Sequence, residues 1–168
     1  MKTHVIMLSK NFLAKHPKKG LPTHFKTKFM NAQNEAVSQP SYDGDLNFEH
    51  AFKRHTIREN YPYWKQRFEE IARGEACLSI REWSGRPRRS AAIEIKRLTA
   101  NDGISLQELR FMPDRSGEGY YVTIDGKQVS VDKIADNDGL SLAEWSAWFK
   151  DVDKSQPLAV IQFTRFRY

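Results

Sequence analysis

Lys53, Thr56 and Arg58 lie close together in the chain and have side chains suited to hydrolytic chemistry. If residues 54–58 form a strand, Thr56 and Arg58 point to one face while Ile57 packs on the other. Lys53 stands where the chain enters this strand and can fold over the face of Thr56. A threonine hydroxyl is a poor nucleophile until a base removes its proton, and a lysine can be that base when burial and a neighbouring guanidinium lower its pKa. The alternative is an ordinary charged strand with solvated side chains, which this short spacing does not exclude.

A second cluster combines the aromatic ring of Trp83 with several arginines. Arg81 and Trp83 end a predicted strand, and Arg86 follows in a basic turn over residues 84–89. An aromatic side chain among arginines is suited to base stacking and phosphate contacts. A core tryptophan beside a basic hairpin tip has the same pattern, so both interpretations stay open.

Hydrophobic periodicity and turn residues predict the elements that position these side chains. Besides the strand at 54–58, strands are expected over 3–9, 77–83, 91–98, 120–124, 128–131 and 158–166. Helices are expected over 24–30, 61–74 and 140–149. Asp125-Gly126 predicts a type I′ turn and therefore a hairpin. A basic loop is predicted over 10–24 and a flexible insertion over 30–47.

One eight-residue pattern occurs twice. Residues 101–108 read Asn-Asp-Gly-Ile-Ser-Leu-Gln-Glu, and residues 137–144 read Asn-Asp-Gly-Leu-Ser-Leu-Ala-Glu. In each copy Asp-Gly favours a turn, and Ser followed three residues later by Glu is the capping box of a helix start. We therefore expect a helix to begin in both. Two copies are too few for a repeat protein, so convergence on one helix cap is favoured over duplication.

Length and composition predict one domain spanning residues 1–168, because a chain of this size can bury one sizeable core. No apolar run approaches the roughly 18 residues of a membrane span, and the N-terminal apolar stretch is too short for a signal peptide. The lone cysteine, Cys77, cannot form an intrachain disulfide, which fits a reducing cytoplasm. It lies in a strand pattern and is therefore expected in the core. The five histidines lack the spacing and the cysteine partners of a zinc site, so no metal is expected. No Gly-rich loop precedes a strand-to-helix turn, so no nucleotide cofactor is expected.

Positive charge is segregated along the chain. Residues 1–34 carry seven basic and no acidic side chains, and residues 53–97 carry twelve basic and six acidic ones. Residues 98–154 reverse the balance, with six basic and eleven acidic side chains. This distribution predicts a positive face suited to a polyanion such as RNA. Solvated lysines that aid solubility would give the same counts, so charge alone does not identify the partner.

The segment Lys53-Arg54-His55-Thr56-Ile57-Arg58 resembles the Gly-x-Lys-x-x-Thr-x-Arg motif of the ASCH family, small β-barrels related to PUA RNA-binding domains. Gly74-Glu75, followed by Ile80-Arg81, is similar to the family's second motif, a turn that opens a strand ending in arginine. Two positions depart from the pattern. Ala51 stands where a glycine is usual, and Glu75 stands where an aspartate is usual.

The resemblance covers roughly residues 48–168 and the first strand. Residues 135–149 look like the family's acidic residue and following helix, and residues 159–163 look like its closing strand. The resemblance implies an α+β domain built on a PUA-like small β-barrel of mixed strands, with two or three flanking helices.

The resemblance also implies two functions. The first is binding of RNA or a nucleotide-derived ligand in a basic cleft beside the barrel, with ligand contacts from His55, Arg58, Arg81, Trp83 and Arg86. The second is a metal-independent amidohydrolase that deacetylates N4-acetylcytidine-type nucleosides, with Thr56 as nucleophile, Lys53 as base and Asp138 as acid, or Asp136 in its place. A third class, a protein-interaction module, would require Trp145 and Trp148 to be exposed.

Overall fold

The fold is α+β. The structure, a computed structural model, describes residues 1–35 and 49–168, and within these it contains eight strands and four α-helices. The strands are β1 (Lys2–Met7), β2 (His55–Arg58), β3 (Ala76–Trp83), β4 (Ala92–Leu98), β5 (Ser105–Pro113), β6 (Tyr120–Ile124), β7 (Lys127–Val129) and β8 (Leu158–Gln162). The helices are α1 (Phe25–Gln33), α2 (Tyr61–Ala72), α3 (Val131–Asn137) and α4 (Leu142–Trp148).

The strands form two sheets, and neither closes on itself among the described residues. The first sheet has the order β1-β3-β4, with β1 parallel to β3 and β4 antiparallel to it. The second has the order β2-β8-β5-β6-β7, and all of its neighbouring strands are antiparallel. The predicted α+β class and mixed strand directions are therefore confirmed, whereas the predicted β-barrel is not.

Both sheets contribute to one hydrophobic core. Strand β8, which lies between β2 and β5, is buried along its whole length, and this explains its nearly continuous apolar sequence. Phe29 of α1 packs edge-on against Phe163, just beyond β8, with 5.1 Å between the ring centroids. Arg58 ties the second sheet to the first, because its Nη2 donates to the Met7 carbonyl at 2.7 Å.

Most predicted elements occur within a few residues of their expected bounds. Asp125 and Gly126 have φ angles of 50° and 81°, as a type I′ turn between β6 and β7 requires. Cys77 is fully buried, which confirms its assignment to the core. Residues 10–24 contain neither a helix nor a named strand.

Three elements differ from the predictions. β5 occupies residues 105–113, where the first copy of the repeated pattern predicted a helix. α3 begins where the last strand of the hairpin was expected to end, so the described residues contain four α-helices and not two or three. α1 extends to Gln33, which makes residues 30–33 of the predicted insertion helical. Residues 36–47 of that insertion lie outside the described residues.

Candidate active site

A small internal cavity lies between the end of β1, the start of α1, strand β2 and helix α4. Its volume is about 20 Å³, enough for a water molecule or a small chemical group. The polar residues that line it are Ser9, Lys53, Thr56, Arg58 and Asp138. The apolar residues are Leu8, Phe25, Ile57, Leu140, Trp148 and Phe149. Four of the residues singled out in the sequence therefore meet in one place.

Lys53 and Asp138 form a buried pair in this cavity. Lys53 Nζ donates to Asp138 Oδ1 at 2.5 Å and to the Asp138 carbonyl at 3.0 Å, and the two residues are only 2% and 3% exposed. A β-bridge joins their backbones, and the Arg54 N–H donates to the Asn137 carbonyl at 2.8 Å. These contacts hold the start of β2 against the end of α3, although 85 residues separate the two side chains along the chain.

Two residues of α1 complete the surroundings of Lys53. The Phe25 ring centroid lies 4.0 Å from Lys53 Nζ, within the range of a cation–π interaction. Lys28 Nζ donates to the Gly139 carbonyl at 2.7 Å. Burial, reinforced by the charge of Lys53, lowers the pKa of Lys28 to about 8, although Glu144 opposes this shift. A second lysine with a lowered pKa thus lies beside the pair.

Burial dominates the titration of the pair. Desolvation raises the pKa of Asp138, and the charges of Lys53 and Arg58 oppose this. Desolvation lowers the pKa of Lys53, which Asp138 opposes and Arg58 reinforces. Because burial disfavours both charges, it brings the neutral amine and the neutral acid closer in energy to the ion pair. Lys53 can therefore serve as a base, and Asp138 can hold a proton.

Thr56 faces the same cavity with its hydroxyl free. The residue is 5% exposed, and its hydroxyl has no hydrogen-bond partner among residues 1–35 and 49–168. Arg58 lies two residues further along the strand and on the same face. Desolvation lowers the pKa of Arg58, and Asp138 opposes this shift. The cavity thus combines an available hydroxyl, a buried lysine–aspartate pair and a guanidinium.

His55 lies on the opposite side of β2 from Thr56 and does not line the cavity. It is fully buried, with Nε2 placed 2.6 Å from Tyr168 Oη. Its Nδ1 has no hydrogen-bond partner in the described part of the chain and lies 3.9 Å from Asp138 Oδ1. Desolvation lowers the pKa of His55 well below its usual value, so the ring is neutral. His55 therefore approaches Asp138 from outside the cavity.

A wider groove of about 510 Å³ adjoins the cavity. The cavity and the groove share four residues in their walls, which are Ile57, Arg58, Trp148 and Phe149. Residues 13–16 of the basic loop form part of the groove, and His16 is fixed there because its Nε2 lies 3.0 Å from the Glu144 carbonyl. A groove of this volume is in the range of small-molecule sites.

A basin of about 840 Å³ shares no lining residue with the cavity or its groove. It mixes basic side chains such as Arg54 and Arg165 with acidic ones such as Glu35 and Asp102. We assign the candidate active site to the cavity and its groove because the buried pair and the free hydroxyl lie there.

The remaining predicted site residues do not reach the cavity. Arg81 Nε donates to Ser79 Oγ at 2.8 Å, and its guanidinium lies 3.7 Å from Glu94. Trp83 is partly buried at the end of β3, and Arg86 is exposed in the following turn. Among the described residues, none of these three predicted contacts lines the cavity or its groove.

The alternative acid and the aromatic stripe are also placed by the structure. Asp136 is half exposed, and its Oδ1 lies 2.7 Å from His50 Nδ1, outside the cavity. Trp145 is buried, whereas Leu142, three residues earlier on the same helix, is 42% exposed.

Sequence reasoning missed the aromatic walls of the site. Phe25 lies within the predicted helix 24–30, and Trp148 and Phe149 lie within the predicted helix 140–149, but none of the three was expected at the site. Aromatic residues on an amphipathic helix have the same local pattern whether they pack in a core or line a groove. The available signal was the position of Trp148 and Phe149 on the predicted helix that follows the acidic segment 135–138.

Comparison with known proteins gives no match: no protein-family model, no curated protein and no solved structure matches this chain.

In the described residues, no three His, Cys, Asp or Glu side chains are grouped so that they could hold a metal ion. None of the helices there is long and apolar enough to cross a membrane.

Proposed function

We propose that this chain is a metal-independent amidohydrolase that removes a small acyl group from an N-acylated nucleoside-type substrate. The observation that carries the proposal is the 2.5 Å contact between buried Lys53 and Asp138 in the same cavity as the Thr56 hydroxyl. A nucleophile, a base and an acid are the groups that amide hydrolysis without a metal requires. The ASCH resemblance of residues 53–58 supplies the substrate class.

The reaction proceeds in two stages. At rest the pair is a Lys53 ammonium and an Asp138 carboxylate, and transfer of the proton from Lys53 Nζ to Asp138 gives the neutral pair that reacts. Neutral Lys53 then accepts the hydroxyl proton of Thr56 as Thr56 Oγ forms a bond to the acyl carbon. The C–N bond of the amide then breaks, and the departing nitrogen takes a proton from Asp138. Water hydrolyses the acyl ester on Thr56, which releases the carboxylic acid and restores the hydroxyl. The guanidinium of Arg58 stabilises the negative charge that develops on the acyl oxygen.

The dimensions of the site support a substrate with a small acyl group on a larger nucleoside. The cavity of about 20 Å³ suits only a small acyl group beside Thr56, whereas the groove of about 510 Å³ has space for a nucleoside. Trp148 borders both spaces and offers an aromatic face for a base.

The same resemblance supports a PUA-like arrangement of the two sheets as part of this proposal. The supporting observations are the single core that both sheets share and the Arg58 bond that links β2 to the end of β1. In this arrangement the cavity lies at the junction of the sheets.

The test is hydrolysis of N4-acetylcytidine, followed by the appearance of cytidine, for the wild type, Thr56→Val, Thr56→Ser and Lys53→Met. We expect turnover by the wild type and a loss of at least about 100-fold in kcat/KM for Thr56→Val and Lys53→Met. Thr56→Ser keeps the hydroxyl and should retain measurable activity. Because Lys53→Met removes a buried charge, its fold is verified by its unfolding curve.

Thr123→Val is the matched control, since Thr123 also lies in a strand but does not line the cavity or its groove. It should leave kcat/KM unchanged. A folded wild type without turnover, or a Thr56→Val variant with wild-type activity, would contradict the proposal.

A second candidate function is RNA binding by the turn between β3 and β4. The side chains of Arg86, Arg88 and Arg89 are exposed there, which suits phosphate contacts. Affinity for a single-stranded RNA oligonucleotide should fall with rising salt. Replacing all three arginines by alanine should make the slope of log affinity against log salt shallower by about one for each phosphate-binding arginine removed. Equal affinity of the variant and the wild type at each salt concentration would exclude this surface.

A further inference from the structure

A chain of hydrogen-bonding groups runs from Arg54 to Asp138 and has no part in the reaction steps above. Arg54 Nη1 donates to Asn137 Oδ1 at 2.9 Å, and Asn137 Nδ2 donates to Tyr168 Oη at 3.2 Å. Tyr168 Oη lies 2.6 Å from His55 Nε2. On the other side of the ring, His55 Nδ1 faces Asp138 Oδ1 at 3.9 Å.

Chemistry decides the direction of each bond. A guanidinium only donates, so Asn137 must present its Oδ1 to Arg54 and its N–H to Tyr168. Tyr168 Oη accepts this bond and can donate its own proton to His55 Nε2. Because the buried ring is neutral, its proton then lies on Nδ1, the nitrogen that faces Asp138.

The opposite tautomer leaves two groups worse placed. With the proton on Nε2, Tyr168 would accept from both neighbours, and its own proton would not be used in this chain. The lone pair of His55 Nδ1 would also face the Asp138 carboxylate, and two acceptors repel each other. The Nδ1–H tautomer avoids both costs.

We infer that His55 is a positioning residue for Asp138: Tyr168 holds its ring as the Nδ1–H tautomer and so aims an uncharged donor at the carboxylate. This role rests on the proposed hydrolysis. When Asp138 gives its proton to the departing amine, the N–H of His55 stabilises the new carboxylate from outside the cavity. The present 3.9 Å is longer than a hydrogen bond, and such catalytic contacts often tighten only in the complex with substrate.

Several charged groups face this chain and remain in place when the Tyr168 hydroxyl is removed. They are Lys53 and Arg58 around Asp138, Lys53 and Arg54 around His55, and Arg54, Asp136 and Asp138 around Tyr168. A change caused by Tyr168→Phe therefore reports the lost hydroxyl.

The first test reads the tautomer directly and needs no activity. Long-range ¹H–¹⁵N correlation spectra of the ¹⁵N-histidine protein distinguish the two neutral tautomers, and the His55→Gln spectrum assigns the His55 signals. We expect the Nδ1–H form in the wild type and a shift to the Nε2–H form in Tyr168→Phe. Phe166→Leu is the packing control, because the Phe166 ring packs edge-on against Tyr168 at 5.0 Å while the hydroxyl is kept. A wild-type Nε2–H form, or the same shift in Phe166→Leu, would overturn the inference.

The second test is the pH dependence of kcat on N4-acetylcytidine. In Tyr168→Phe, the Nδ1 lone pair disfavours the carboxylate, so the limb that reports Asp138 should move to higher pH by on the order of one unit. An unchanged profile in a variant whose tautomer has switched would overturn the positioning role. Absence of hydrolysis by the wild type would instead overturn the proposed function and, with it, any catalytic role of His55, whatever the tautomer.

Discussion

The two copies of the Asn-Asp-Gly-x-Ser-Leu-x-Glu pattern form the same turn and then diverge. Gly103 and Gly139 both have a φ of 76°, and each donates its N–H to the carbonyl three residues earlier. Residues 105–108 then enter β5, whereas residues 141–144 begin α4 with a capping box. A short local pattern thus specifies the turn but not the element that follows it.

The aspartates of the two copies differ even more. Asp102 is exposed, and its Oδ2 accepts from the Thr99 N–H at 2.7 Å. Asp138 is buried against Lys53. The same residue in the same turn is therefore an exposed cap or a buried ion-pair partner, according to what packs over it.

Long-range pairing explains why the first copy becomes a strand. Gln162 Nε2 in β8 donates to Gln107 Oε1 at 3.0 Å, and Leu109 is fully buried. Alternate residues of 105–113 thus contribute to the core in a strand. In the second copy, Trp145 is buried from a helix, and alanines at 143 and 147 favour that helix.

The largest expected difference concerns the two aspartates. Asp138→Asn should lower the free energy of unfolding by about 3–5 kcal/mol, because it leaves the Lys53 ammonium buried without a counter-charge. Asp102→Asn should lower it much less. Urea unfolding at pH 7 measures both. Adding Lys53→Met to Asp138→Asn should recover part of the loss, and equal losses for the two single variants would contradict the assigned difference.

The two glycines should separate stability from activity. Alanine at either position should cost about 1–2 kcal/mol of unfolding free energy, because both glycines have a positive φ. A methyl group at Gly139 would lie 3.1 Å from Lys28 Cδ and 3.4 Å from Lys53 Cβ, so both lysines of the site would be pressed, whereas at Gly103 it would meet the side chain of exposed Arg165, which can move. Unfolding curves should therefore be similar, and only Gly139→Ala should reduce kcat/KM on N4-acetylcytidine. Equal kcat/KM values for the two variants would show that the Gly139 turn does not position Lys53.

The serines should respond in opposite ways. Ser141→Ala removes the hydroxyl that accepts from the Glu144 N–H at 3.1 Å, and should cost about 1 kcal/mol. Ser105 Oγ is buried without a hydrogen-bond partner in the described residues, so Ser105→Ala should cause no loss or a small gain. Thermal unfolding compares them, and Ser141→Asp should keep most of the cap. A loss in Ser105→Ala equal to that in Ser141→Ala would show that both hydroxyls are bonded.

The smallest expected effect is on how steeply the free energy of unfolding falls at acidic pH. Burial raises the pKa of Glu144, but the hydrogen bonds from Ser141 and the charges of Lys18 and Lys28 together outweigh this and hold it below its usual value. The stability due to Glu144 is therefore fully present above the pKa of the unfolded chain and is lost as pH falls through the lower pKa of the folded state. Glu144→Gln should flatten the fall in unfolding free energy between about pH 5 and 3. Glu108→Gln is the matched control for removing one carboxylate, and equal slopes in the two variants would argue against the cap.

Elements with a strong local signal were predictable. Asp125-Gly126 predicted its hairpin, and Gly74 predicted the end of α2, because both need backbone conformations that few residues adopt. β5 was not predictable, because polar Gln107 is buried within it and pairs with a strand far along the chain. α3 was missed because its seven residues carry little helical periodicity.

Local sequence specifies the turns, most of the strands and the residue types available for chemistry at Lys53, Thr56 and Asp138. Packing of distant segments selects Asp138, and neither Asp102 nor Asp136, as the partner of Lys53. It also separated Arg81 from the cavity and brought Phe25 to it. The physical reason is that burial and desolvation arise from contacts between segments distant along the chain, and these contacts shift the pKa values on which the proposed chemistry depends.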